Sequence, residues 1–111
     1  MFDRTVLENG LRVVSSTMPH TRSVSVGLYV AAGSRYEDDE IAGVSHFLEH
    51  MLFKGTRRRP TAQQISEEIE GVGGSMNAAT DKELTVYWAK VGDQHFERCR
   101  TPAANLLAQS L

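Results

Sequence analysis

The sequence predicts an α+β fold: an antiparallel sheet with helices packed on one face. Three observations carry the prediction. Residues 1–32 hold three β-favouring runs, the first two separated by an Asn-Gly pair. Residues 42–70 switch to apolar residues spaced three and four apart. Residues 75–91 return to β-favouring runs. Strands grouped on either side of helices, rather than alternating with them, favour antiparallel pairing.

The elements follow in order. Thr5-Val6-Leu7 and Leu11-Arg12-Val13-Val14 flank Glu8-Asn9-Gly10 and read as a hairpin. From Ser23 to Val30, Val24, Val26, Leu28 and Val30 alternate with Ser23, Ser25, Gly27 and Tyr29, the period of a half-buried strand. Gly33-Ser34-Arg35 and the acidic run Glu37-Asp38-Asp39-Glu40 form a solvated polar connection. Acids there also favour the N-terminus of the helix that follows. That helix runs from Ala42 to Phe53, with Val44, Phe47, Leu48, Met51 and Leu52 as the stripe expected to bury it beside the sheet. Gly55 suits its terminating position, and Arg57-Arg58-Arg59-Pro60 reads as a solvated basic loop. Thr61 caps a second amphipathic helix, Ala62 to Glu70, stopped by Gly71. Ser75 to Ala79 and Leu84 to Val91 read as strands around Thr80-Asp81-Lys82, and a last helix starts near Gln94.

Composition narrows the function. The length of 111 residues suits one domain or part of one. Twelve basic and fourteen acidic residues leave a net charge of −2, which offers no electrostatic footprint for nucleic acid. The lone cysteine, Cys99, excludes an internal disulfide framework and a cysteine-based zinc site. The N-terminus lacks an apolar signal region, and the longest apolar stretch, near 24–32, falls short of a membrane span. The expectation is a cytoplasmic protein without a membrane or nucleic-acid partner.

One segment carries chemistry: His46-Phe47-Leu48-Glu49-His50. Two histidines at i and i+4 on a helix project from one face, so both imidazoles reach one metal ion. Glu49 lies near that face, where a carboxylate beside a zinc-bound water can accept its proton. A surface histidine pair with an acidic neighbour has the same spacing. Manganese or cobalt could occupy the same ligands.

The wider sequence decides in favour of a site. His46 to Thr56 resembles the inverted zinc-binding signature, HxxEH, of the pitrilysin/insulinase metallopeptidases, the inverzincins. Within that family it is most similar to the processing-peptidase branch. Gly43, the opening Leu7 to Val14, and the stretch Gly73-Gly74-Ser75-Met76-Asn77-Ala78-Ala79-Thr80 with Glu83, Thr85 and Tyr87 match as well. The resemblance implies zinc as cofactor, His46 and His50 as its ligands, and Glu49 as the general base in peptide-bond hydrolysis. It places Asn77 and Ala78 on an edge strand that binds substrate peptide by backbone pairing. It implies that residues 1–111 are a partial N-terminal metallopeptidase domain, with an atypical tail over 98–111 where Pro102 interrupts an expected helix. The family's third zinc ligand, a glutamate, falls beyond Leu111. The chain alone is therefore expected to be inactive, needing a partner chain for the missing half, unless Glu67, Glu68, Glu83 or His95 stands in. The alternative reading is a non-catalytic peptide-binding or assembly subunit of the same family. Missing sheet partners are expected to leave apolar surface exposed and solubility poor.

Overall fold

Asn9 and Gly10 close the first hairpin. Asn9 Oδ1 accepts from the Leu11 N–H at 3.0 Å, and Gly10 takes a φ of +89° that side chains resist. The turn joins β1 (Asp3–Val6) to β2 (Arg12–Ser15), antiparallel, with Thr5 opposite Val13. In this computed structural model, which describes residues 2–97 and 99, β1 and β2 form a two-stranded sheet of their own.

The second sheet positions the site. Its order is β3-β5-β4, antiparallel throughout. β3 (Ser23–Val30) pairs with β5 (Thr85–Gly92), and β4 (Ser75–Thr80) flanks β5 on the other side as an edge strand. The fold class is therefore α+β and antiparallel as expected, with the strands divided between two sheets.

Two helices lie between β3 and β4 in sequence, and both pack against β4. α1 spans Val44–Leu52 and α2 spans Ala62–Glu70. A capping box starts α2: Thr61 Oγ1 accepts from the Gln64 N–H at 3.2 Å, and Gln64 Oε1 accepts from the Thr61 N–H at 3.1 Å. β5 shows the period of a strand with one covered face: Thr85, Tyr87, Ala89 and Val91 are buried in alternation. Ile69, Val91 and Cys99 form the core cluster, with Val72, Met76 and Phe96 against it.

Four expectations need correction. β3 forms with the predicted bounds, but Val26 and Leu28 on its apolar face are exposed. In α1 only Leu52 of the apolar stripe is buried, while Val44, Phe47, Leu48 and Met51 face outward. The face turned to the sheet carries Ser45, Glu49 and Leu52, spaced i, i+4 and i+7. Gly55 is buried but is not the left-handed terminator; the helix ends at Phe53 in right-handed geometry, its N–H bonding to His50 O. Arg59 leaves the solvated loop: its side chain is 12% exposed and grips Glu68, Nη2 at 3.0 Å from Oε2 and Nε at 2.8 Å from Oε1. The tail, except Cys99, and the helix expected there lie outside the described residues. No helix among the described residues is long and apolar enough to cross a membrane.

Candidate metal centre

The histidines sit on a helix that begins without a side-chain cap of its own. Its N-cap, Gly43, is left-handed at φ +88°, and the first turn of α1 holds no acidic residue. Glu37 fills the gap from upstream. Its Oε1 accepts from the Gly43 N–H and its Oε2 from the Ser45 N–H, each at 2.8 Å. The Ser45 hydroxyl, then these backbone N–H groups, hold the Glu37 carboxyl below the usual carboxylate range. Asp38 shapes the loop, its Oδ1 accepting from the Glu40 and Ile41 N–H groups.

One turn of helix separates His46 from His50, and their rings converge. The two Nε2 atoms lie 2.9 Å apart and the ring centroids 4.6 Å apart, both side chains open to solvent. Glu49 is half-buried, and its Oε2 accepts from the Thr80 hydroxyl at 2.5 Å. Ligand atoms of His46, Glu49 and His50 all lie within 4.8 Å of one another. Among the described residues this is the group that could hold a metal ion. The donors suit zinc: nitrogens on a tetrahedral ion with bonds of about 2.0–2.1 Å sit roughly 3.3 Å apart, close to the separation found here.

None of the four stand-in ligands joins the cluster. Glu68 is held by Arg59, Glu83 by Arg35, and Glu67 Oε1 accepts from Gln63. His95 lies in a 3₁₀ turn beside Gln94. His20 occupies the turn after β2 and is not part of the cluster.

A cleft of about 330 Å³ opens beside His46, lined by Ser34, Glu37, Gly43, Thr80, Asp81 and Lys82. Its wall is built by docking residues 33–36 onto the β4–β5 turn. Ser34 N–H donates to Asp81 O at 3.3 Å, Arg35 N–H to Lys82 O at 2.8 Å, and the Arg35 guanidinium pairs with Glu83. Gly33 allows this approach, because a Cβ there would lie 2.2 Å from Asp81 O. Asn77 and Ala78 lie on edge strand β4, where Asn77 Oδ1 accepts from the Ala78 N–H at 2.8 Å. On β5, opposite Ala78, burial raises the Tyr87 hydroxyl above its ordinary value, and the Glu49 charge adds to it.

Sequence reasoning did not single out Glu37 or Thr80 for a role. The acidic run before α1 signalled a charge at the helix start without saying which acid supplies it. Thr80 had no local signal, since its partner is 31 residues away.

Comparison with known proteins places this geometry. The family model described as insulinase, peptidase family M16, matches residues 12–111. The chain belongs to the insulinase family. A Bacillus subtilis protein, the uncharacterized zinc protease YmxG, is 48% identical over 95 residues, 86% of this chain and 23% of that protein. A probable mitochondrial-processing peptidase subunit beta of Arabidopsis thaliana is 46% identical over 106 residues, 96% of this chain and 20% of its own length. The crystal structure of a protease from Helicobacter pylori superposes with a TM-score of 0.91 at 27% identity, covering 100% of this chain and 26% of that one. The chain thus spans only about a quarter of the length of these proteins.

Proposed function

We propose that this chain carries the metal-binding and base-bearing part of a zinc metalloendopeptidase. The observation that carries the reading is the convergence of the His46 and His50 Nε2 atoms, 2.9 Å apart, beside the Glu49 carboxylate. Relatives named as zinc proteases and processing peptidases support it.

His46 and His50 would hold the zinc, which when bound would supply Lewis acidity to activate water at neutral pH. Glu49 takes the proton of the water that attacks the peptide carbonyl carbon, and returns it to the leaving amine as the C–N bond breaks. The Thr80 hydroxyl fixes Glu49 Oε2, so that Oε1 handles the proton. Substrate peptide adds to the free edge of β4, where its carbonyl takes over the Ala78 N–H from the Asn77 side chain. A catalytic zinc takes three protein ligands, and the described cluster offers two histidines beside the base. The third ligand therefore comes from sequence beyond Leu111 or from a partner chain, and these 111 residues alone do not hydrolyse peptides.

Zinc titration of the purified chain, beside His46→Ala, His50→Ala and Glu49→Gln, tests this. Weak binding of at most one zinc per chain is expected, lost in both histidine variants and retained in Glu49→Gln. Zinc binding indifferent to His46→Ala overturns the reading, and tight binding lost in both histidine variants overturns the missing third ligand, since it places that ligand within these residues. Peptide affinity that survives both histidine substitutions without zinc binding replaces it with a non-catalytic peptide-binding subunit.

A further inference from the structure

We propose that Glu37 is a positioning residue for the metal site: its two carboxylate oxygens clamp the first turn of α1 and so set where His46 points. This rests on the zinc reading above. α1 has nine residues, too few to be stable alone. Its apolar stripe is largely exposed, so burial of Leu52 gives it little anchorage. Its N-cap glycine offers no side chain. What holds its start is Glu37, through the N–H groups of Gly43 and Ser45, the residue just before His46.

The clamp is itself anchored. The Glu37 N–H donates to Ser34 O, closing the 3₁₀ turn Ser34–Tyr36. That turn is tied to Asp81 and Lys82 by backbone bonds and to Glu83 by Arg35. The same β4–β5 hairpin carries Thr80, which holds Glu49. One hairpin end thus references α1 at two points, the helix start through Glu37 and the base through Thr80. His46 lies between them, and Glu37, His46 and Thr80 all line the cleft. An acidic side chain at the positive end of the helix also complements its dipole.

The test uses the 111-residue chain and its Glu37→Ala and Glu37→Gln variants. Three quantities are read: amide exchange at Gly43 and Ser45, the nuclear Overhauser effect between the His46 and His50 rings, and affinity for zinc alone. Glu37→Ala is expected to lose protection at both amides, to lose the inter-ring effect, and to bind zinc about tenfold more weakly, as loss of a partner that orients a ligand does. Glu37→Gln, which keeps one acceptor oxygen, is expected to recover part of each. Amides of Ile65 and Ile69 in α2 stay protected, which separates loss of the clamp from unfolding. Unchanged protection in Glu37→Ala overturns the proposal. So does lost protection with ring contact and zinc affinity intact. Zinc binding indifferent to His46→Ala refutes the zinc reading alone; loss of the inter-ring effect in Glu37→Ala then still upholds the positioning role.

Discussion

The Thr80 hydroxyl donates to Glu49 Oε2 at 2.5 Å, joining the end of β4 to the middle of α1. The bond explains why α1 turns a partly polar face to the sheet. A half-buried carboxylate must keep a partner or be left desolvated, and Thr80 is the partner that the sheet edge presents.

A double-mutant cycle with Thr80→Val and Glu49→Ala measures this bond. Hydrogen bonds to charged groups contribute about 1.5–3 kcal/mol, and partial exposure of both residues moves the expected coupling towards about 1 kcal/mol. Urea denaturation of the parent, the two single variants and the double variant reads it. Strict additivity would mean that the bond contributes nothing to stability.

Tyr87 ionises later than an ordinary tyrosine, because burial opposes the phenolate and the Glu49 charge repels it. In metal-free protein, the difference in absorbance titration between the parent and Tyr87→Phe isolates this group. Glu49→Gln is expected to bring it only part of the way back, since burial remains. The sign for stability follows from a raised folded-state value. Its contribution is complete below the ordinary tyrosine range and is lost as pH rises through the folded-state value.

Glu37 gives the opposite limb. Its carboxyl is lowered by hydrogen bonds from Ser45 and Gly43, so its contribution is present above the ordinary carboxylate range and is lost as pH falls through the folded-state value. Amide shifts of Gly43 and Ser45, followed into acid, are expected to move together in the parent. In Glu37→Gln that acid transition is absent.

Core and surface apolar residues should separate cleanly. Ile69 is 0% exposed, and Ile69→Ala is expected to lower stability by about 2–5 kcal/mol. Leu48 belongs to the sequence's apolar stripe but is 53% exposed, and Leu48→Ala should change stability by less than about 0.5 kcal/mol. Denaturation midpoints of the two variants decide. Equal losses would show that the stripe is covered in solution.

Gly33→Ala probes the cleft wall. The added Cβ meets backbone atoms of Asp81 and Lys82, so the turn must shift, at a cost of about 1–3 kcal/mol. Calorimetry reads the cost, and loss of Arg35 amide protection locates it.

Local chemistry was readable in the chain. Asn9-Gly10, the Thr61 cap and the alternation from Ser23 to Val30 each specify conformation through neighbours a few residues away, and each element formed where expected. The His46, Glu49 and His50 spacing was legible for the same reason, because a helix converts i and i+4 into one face. The orientation of α1 was not legible. Periodicity says that Val44, Phe47, Leu48 and Met51 share a side; it does not say what lies there. Tertiary structure alone decided that Ser45, Glu49 and Leu52 meet the sheet, that Glu37 rather than its acidic neighbours bonds the start of the helix, and that Thr80 holds Glu49. Those choices depend on contacts between residues distant in sequence, and such contacts exist only once the β4–β5 hairpin has closed beside α1.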